Sequence, residues 1–438
     1  MCKKSKTAGI YTLGCKVNQY ESQAISEELV RKGFEIKSPS ECCDVYVINT
    51  CTVTAESDRK ARQFIRRAIG KDPNAYVLVT GCMAQTSAEA VAKIEGVDAV
   101  VGNTDKLSVA EIADRLYDKG EKNSTAEIFV RNIDDAPFEK MAITGFERTR
   151  AYVKIEDGCE SRCTYCIIPS ARGKIRSKPL AEVIEEVTEL TENGCREVVL
   201  TGIETASYGK DLGDVDLAEL LRKVDNIPNI GRVRLGSLDP SLIKPDFAKK
   251  IAGLGCLAPH FHLSLQSGSS RILALMKRKY NAQQAMKAME LLREHLPEVK
   301  FTTDIIVGFP QETEEDFLET VEFVKKADFL TAHIFPYSKR AGTPAATMSG
   351  QISKEEKSRR LHILAEIEAE SRKKLLENEI STRPIKQVLF ETYKDGRAYG
   401  HTADFIEVSV PSPRPLHAIF ADVRMLSTDG NIVFGELI

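Results

Sequence analysis

The chain has 438 residues, 42% of them hydrophobic and 29% charged, and a formal net charge of −3. That balance excludes a wholly disordered chain and suits about three domains. It gives no whole-molecule attraction to nucleic acid, so any phosphate-binding surface must be a local patch. No run of about 18 apolar residues is present to span a bilayer, and residues 9–13, behind a basic start, are too short for a signal-peptide core. A cytoplasmic protein with no membrane attachment is the expectation. Trp is absent and eleven Cys are present. In a reducing compartment these are not expected as disulfides, and an odd count in so long a chain does not suit a stapled secreted scaffold. They are small buried hydrophobes or metal ligands, and spacing must decide.

In chain order, residues 1–120 alternate strand-like runs (8–13, 45–49, 76–80 and 99–101) with helical patterns near 21–32, 57–69 and 87–94. This βαβα rhythm predicts a small parallel α/β sheet. Residues 121–144 read as a polar linker, with an extra strand at 126–130. The rhythm then restarts, with strands expected at 152–156, 197–201, 232–236, 260–266, 301–307 and 330–335. Between them Leu180, Val183, Ile184, Val187 and Leu190 share one helix face, as do Phe317, Leu318, Val321 and Val324. Six βα units over 145–380 predict a partial (βα)6 barrel, short of the eight that close one. A long charged helix over 354–379 ends that stretch. Residues 381–438 hold five short strand-like runs (384–390, 398–401, 405–410, 418–424 and 431–436), which predict a small five-stranded β-barrel of the OB or a similar kind. The fold class is α/β throughout, with that terminal barrel appended.

The most compact chemical constellation is Cys159-Glu160-Ser161-Arg162-Cys163-Thr164-Tyr165-Cys166, spaced C-x3-C-x2-C, just after the first barrel strand. Three thiolates on one tight loop can cap three irons of a [4Fe–4S] cluster and leave the fourth iron open to a small molecule. Zinc would want a fourth Cys or His nearby; the next Cys is Cys195, and no His intervenes. Three buried structural Cys is the remaining reading. With Tyr165 before the last Cys, the motif resembles the radical S-adenosylmethionine (SAM) superfamily. That resemblance implies SAM chelated to the open iron and cleaved reductively to methionine and a 5′-deoxyadenosyl radical, on a partial (βα)6 barrel.

A second set is dispersed. Cys15, Cys51 and Cys82 each follow an expected strand and precede a helix. In a parallel sheet those strand ends share one edge, and helix N-termini there favour thiolates. Small Cys packing at strand–helix turns would place them there equally. Gly14-Cys15-x-x-Asn18, Asn49-Thr50-Cys51 and Gly81-Cys82 resemble, in order, the cluster motifs of the radical-SAM methylthiotransferase family, which also ends in a TRAM β-barrel. The resemblance covers nearly the whole chain. It implies two [4Fe–4S] clusters: one on Cys159, Cys163 and Cys166 for the radical, and an auxiliary one on Cys15, Cys51 and Cys82 whose open iron can hold sulfur. It further implies two SAM, one giving a methyl group and one the radical. Cys2, Cys42, Cys43, Cys195 and Cys256 lack the strand-end pattern and are expected to be incidental.

Other strand ends are candidates for the SAM site. Thr201-Gly202-Ile203-Glu204 occupies the place of the glycine-rich motif that meets the SAM amino group in the superfamily. Ser264 and Gln266, ending the fourth strand, are candidates for the ribose or carboxylate, and Gly308 for flanking the adenine. Tyr165 completes the set.

For the substrate, Arg59, Lys60, Arg62, Arg66, Arg67 and Lys71 cluster on one expected helix; Arg172, Lys174, Arg176 and Lys178 follow the radical motif; and Lys277-Arg278-Lys279 lies in another loop. Each could contact phosphate or be a solvated basic face. The terminal barrel, with six Lys/Arg against seven Asp/Glu from residue 382 on, is not basic by composition. Thr12 through Ser22, Asn49 through Thr54, Leu200 through Ile203 and Phe335 through Pro344 resemble the branch that modifies N6-threonylcarbamoyladenosine beside the tRNA anticodon; Glu204 departs from it, since that branch often has His. The resemblance implies methylthiolation of that nucleoside at position 37, with the tRNA anticodon stem-loop, an electron donor such as flavodoxin or ferredoxin, and a sulfur source as partners, and no obligate protein partner. Three alternatives stay open: the same chemistry on isopentenyladenosine, the same on a ribosomal-protein side chain, and a non-catalytic iron–sulfur or zinc RNA-binding module.

Overall fold

The structure is a computed structural model and describes residues 6–134, 136–146 and 149–438, which leaves Cys2 outside the described residues. Its first sheet holds β1 (Lys6–Thr12), β2 (Phe34–Lys37), β3 (Val45–Thr50), β4 (Tyr76–Gly81), β5 (Ala99–Val101) and β6 (Glu127–Phe129) in the order β2-β1-β3-β4-β5-β6, all parallel. β3 and β4 are buried at every residue, as a central strand covered by helices on both faces must be. Alternate side chains serve opposite cores: Val45 and Val47 meet Ile25 and Leu29 of the helix Lys16–Arg31, while Tyr46 and Ile48 meet Ala61 and Ile65 of the helix Ala55–Lys71. The edge strand β2 was not expected; its short, charge-bearing sequence Phe34-Glu35-Ile36-Lys37 carries no apolar run. β6 is the extra strand expected at 126–130. The linker is not free: Ile133, Met141 and Ile143 are buried, and the Met141 carbonyl accepts from Tyr20 Oη and Lys178 Nζ, both at 2.7 Å.

The second body is an arc of six parallel strands, β7 (Arg150–Lys154), β10 (Glu197–Thr201), β11 (Arg232–Leu235), β12 (His260–Gln266), β13 (Lys300–Val307) and β14 (Thr331–Pro336). Single bridges join β11 and its flank to the β12 side. Between β7 and β10, the short antiparallel pair β8 (Glu156–Asp157) and β9 (Arg176–Ser177) pins both ends of the loop that carries Cys159, Cys163 and Cys166. The helix Lys354–Ile380 then runs from the arc, where Leu364 packs, to the last body, where Leu375 and Leu376 pack. That body is a closed, TRAM-like barrel of β15 (Ile385–Lys394), β16 (Arg397–Thr402), β17 (Glu407–Pro411), β18 (Phe420–Thr428) and β19 (Val433–Leu437) around Val388, Phe390, Val408 and Val423.

The terminal barrel docks beneath the arc, at the strands' N-terminal ends. Glu197 gathers Arg150, Arg232 and Arg234 at about 3 Å each. Arg234 reaches on to the carbonyls of Thr402 and Ala403 at 2.7 and 2.8 Å, and Arg150 to Glu391. Burial opposes the Glu197 carboxylate, but the three guanidiniums outweigh it and hold its pKa below the ordinary value. The N-terminal sheet caps the opposite, C-terminal end of the arc. No helix among the described residues is long and apolar enough to cross a membrane.

Candidate active site

Cys159, Cys163 and Cys166 line one cavity of about 520 Å³ at the C-terminal ends of the arc strands, and Cys15 of the N-terminal sheet lines the same cavity. The loop is fixed from several sides: Cys159 N–H donates to Gly173 O (2.9 Å), Thr164 N–H to Met276 O (3.1 Å) and Ala345 N–H to Thr164 O (2.8 Å). Cys163 Sγ accepts from Arg278 Nη1 at 3.3 Å, and Cys166 Sγ from the Ile168 N–H at 3.4 Å.

The dispersed triad is assembled by the sheet. β1, β3 and β4 are adjacent, so the residues that follow them open on one edge. Cys15 caps the helix Lys16–Arg31, Cys51 follows β3 directly, and Cys82 begins the helix Cys82–Thr86. Asn18 knits the edge, donating from Nδ2 to the carbonyls of Leu13 (2.7 Å) and Thr50 (3.0 Å). Cys82 Sγ accepts from Arg172 Nε at 3.3 Å, and Arg172 Nη2 also donates to Asn18 Oδ1 at 2.6 Å. Arg172 belongs to the arc, so it ties the sheet edge to the radical-SAM-like loop. It is fully buried with Glu21, which also binds Lys106 (2.6 Å) and Lys154 (3.1 Å).

Burial pushes the Cys166 thiol up to about 11; burial, then the Cys82 sulfur, does the same to Cys51. Burial and the Glu204 carboxylate raise Cys159. Cys15 has surface open to the cavity but is surrounded by protein, and that burial raises it against the opposing Arg172 charge. As free thiols these groups stay protonated at neutral pH; a bound metal takes the proton's place. Among the described residues no three His, Cys, Asp or Glu side chains converge as a single metal ion needs. Two sets of three soft sulfurs, with side-chain or backbone N–H donors on Cys82, Cys163 and Cys166 among them, fit [4Fe–4S] clusters by donor chemistry.

The other expected SAM-site residues divide. Tyr165, Gly202, Glu204, Ser264 and Gln266 line the cavity. Gly202 packs against Glu156, and Glu204 accepts from Cys159 Sγ (3.1 Å), Ser161 Oγ (3.1 Å) and Lys279 Nζ (3.3 Å). Ser264 presents its carbonyl to Arg278 Nη2 at 2.8 Å and Tyr280 Oη at 2.7 Å. Gly308 stands apart: it packs against Lys357, its N–H donates to Glu312, and Ile306 of β13, the strand it follows, lines the cavity instead.

The basic segments divide too. Arg59, Lys60, Arg62, Arg66 and Arg67 are exposed on the helix Ala55–Lys71, whose first residues reach the cavity through Thr54 and Ser57. Arg172, Arg176 and Lys178, candidates for phosphate contact or a solvated basic face, are instead buried in ion pairs with Glu21, Asp157 and Glu186. Arg278 turns inward to Cys163 and Asp239. Spacing had a signal for one part of this network: Cys15, Asn18 and Glu21 recur at helical intervals on one face. Of the remaining Cys, Cys42, Cys43, Cys195 and Cys256 line neither this cavity nor the adjoining one.

Comparison with known proteins agrees with this architecture. Residues 153–324 match the Radical SAM superfamily, and residues 7–102 match the uncharacterized protein family UPF0004. The threonylcarbamoyladenosine tRNA methylthiotransferase MtaB of Bacillus subtilis is 39% identical over 426 residues, covering 96% of this chain and 94% of that protein. The chain belongs to the radical-SAM tRNA methylthiotransferase family. The MtaB of Aquifex aeolicus is also 39% identical, over 89% of this chain and 96% of its own length. A tRNA-2-methylthio-N(6)-dimethylallyladenosine synthase of Methylacidiphilum infernorum is 33% identical over 97% of this chain and 93% of its own. Among solved structures, the radical S-adenosylmethionine methyltransferase TsrM of Kitasatospora setae shares the fold, with a TM-score of 0.56 and 16% identity over 78% of this chain and 77% of that one. As a radical-SAM transferase of this family, the protein requires a [4Fe–4S] cluster and SAM.

Proposed function

We propose that the protein methylthiolates N6-threonylcarbamoyladenosine at position 37 of tRNA, with Cys159, Cys163 and Cys166 holding the SAM-binding [4Fe–4S] cluster and Cys15, Cys51 and Cys82 holding a second. The observation that carries this reading is that Cys15 opens onto the cavity of the radical-motif cysteines. The name shared by the two 39% identical relatives supports the nucleoside. When bound, the two clusters and two SAM supply the radical, the methyl group and an iron corner for sulfur. The chain's residues do the rest. Arg278 and Arg172 each place a cationic N–H on one sulfur of a triad. Tyr165, Gly202, Glu204, Ser264 and Gln266 form the wall against which SAM would lie. The exposed Arg59, Arg62 and Arg66 face gives the anticodon stem-loop a phosphate contact leading to the cavity mouth. Reduction would come from a small electron-transfer protein of the flavodoxin or ferredoxin kind, sulfur from a separate source, and the setting is cytoplasmic.

Nucleoside mass spectrometry of tRNA from cells with and without the gene tests the substrate. Accumulation of threonylcarbamoyladenosine without its 2-methylthio derivative is expected on deletion. Accumulated isopentenyladenosine would move the substrate to the dimethylallyl branch, and unchanged tRNA would redirect the chemistry to a protein side chain. Anaerobic reconstitution should give about eight irons per chain, four for each cluster; zinc without SAM cleavage would leave only a binding module.

A further inference from the structure

A second cavity, of about 640 Å³, continues from the first down the lumen of the arc; the two share Cys15, Gly202, Ser237 and Asp304. Each of the six arc strands gives its wall one polar side chain, Tyr152, Thr201, Arg234, His262, Thr302 and His333, set among apolar ones such as Val199, Leu235 and Leu330. Its floor is Phe405 of the terminal barrel, stacked between His260 and His401 at centroid distances of 4.4 and 4.6 Å. This volume lies in the range of small-ligand sites.

The cations around it are mostly spent. Arg150 and Arg234 are held by Glu197 and by the terminal barrel, and Arg372 donates to Asn431 at 2.6 Å. Lys16 differs. It follows Cys15 directly, lines the lumen, is half-buried, and is the one Lys or Arg of the lining, among the described residues, with no hydrogen bond or ion pair. Asp304, the anion that acts most strongly on it, is bound to His262 Nε2 at 3.3 Å. Glu407 is the other acid of the lining.

In adenine, C2 and the N6 substituent flank the same ring nitrogen. A base that presents C2 at the Cys15 end of the upper cavity therefore carries its N6 substituent into the adjoining space. Threonylcarbamoyl is polar, with a urea, a hydroxyl and a carboxylate that can pair Lys16; a dimethylallyl group would leave Lys16 unpaired, which a site built to hydrogen-bond rejects. We infer that the lumen below Cys15 receives the N6 substituent of the substrate adenosine and that Lys16 is the partner of its carboxylate. This rests on the substrate reading above.

The test uses the reconstituted holoenzyme and two anticodon stem-loop RNAs, one with N6-threonylcarbamoyladenosine and one with the methyl ester of the same group, which removes the negative charge at the cost of one added methyl group. The wild type should bind the acid about 10- to 100-fold more tightly than the ester, the range for a hydrogen bond to a charged group. Lys16→Met should lose that preference and bind both RNAs like the ester, while Lys16→Arg should restore part of it, at an iron content equal to wild type. If the wild type prefers the acid and Lys16→Met keeps that preference, Lys16 is the wrong residue and the substrate reading stands. If the wild type does not distinguish acid from ester, the inference falls whatever the variants do; methylthiolation of the acid RNA in the same assay then shows whether the substrate reading survives it.

Discussion

Cys159, Cys163 and Cys166 occupy one eight-residue loop, whereas Cys15, Cys51 and Cys82 come from the ends of three strands spread over nearly seventy residues. The loop is closed by the hydrogen bond from Cys159 to Gly173 and by the β8–β9 pair. The dispersed triad exists only once β1, β3 and β4 lie side by side, and it is completed by Arg172 from another body of the protein. A local motif thus carries its own geometry; a dispersed one borrows it from a sheet and an interface. The two should fail differently when broken. Cys163→Ala should abolish SAM cleavage, measured as 5′-deoxyadenosine release. Cys51→Ala should spare that release and lose transfer of sulfur to RNA, with iron falling by about half, one cluster of two. Equal loss of both activities in Cys51→Ala would break the division of labour.

Much of the architecture is legible in the amino-acid sequence. The ranges 197–201 and 260–266 match β10 and β12 residue for residue because β-branched and apolar residues there are bounded by clear turns. The helix expected from residue 21 begins at Lys16, since Val17, Asn18, Tyr20 and Glu21 are all buried and blur the amphipathic pattern. The pattern at 87–94 is realised as the helix Ala88–Ala92, and the short helix Cys82–Thr86 before Ser87 was not expected. Arg172, Arg176 and Lys178 show the firmest limit. A basic run looks the same whether solvated or paired, and its partners Glu21, Asp157 and Glu186 are fixed only by tertiary packing. Lys16 is hidden for the same reason.

Each triad has one arginine on a sulfur, and the two are not equivalent. Arg172 is fully buried against Glu21 and Asp157, while Arg278 pairs with Asp239 nearer the cavity surface. Removing one member of a buried ion cluster strands the others. Arg172→Met should therefore cost about 3–5 kcal/mol of unfolding free energy by urea titration, and Arg278→Met clearly less. A larger loss from Arg278→Met would mean that the interface is not anchored at the dispersed triad.

Each first cysteine is preceded by a glycine in the left-handed region, Gly14 at φ +105° and Gly158 at φ +91°. A Cβ on Gly158 would lie 1.9 Å from the Lys174 carbonyl oxygen, and one on Gly14 would lie 2.9 Å from Cys51 Cβ. Backbone cannot yield as a side chain can, so Gly158→Ala should lower iron incorporation at the loop cluster more than Gly14→Ala does at the other. Both carry about 1–2 kcal/mol of left-handed backbone cost, so the difference isolates the clash. Cluster-resolved electron paramagnetic resonance of the two reduced variants reads it.

The smallest effect concerns which side of the chamber meets RNA. The helix Ala55–Lys71 starts beside Cys51 and exposes Arg59, Arg62 and Arg66, while Arg162, Lys174, Lys277 and Lys279 are exposed cations on the side of the radical loop. Each phosphate contact contributes about one unit to the slope of log affinity against log salt. Arg62→Ala and Arg66→Ala should each flatten that slope by about one unit for the anticodon stem-loop, with sequence preference unchanged. Lys174→Ala and Lys277→Ala should leave it as in the wild type. The reverse result would place the RNA on the radical loop, and the dispersed triad would then approach the base from the far side of the chamber, leaving the lumen below Cys15 to the sugar and not to the N6 substituent.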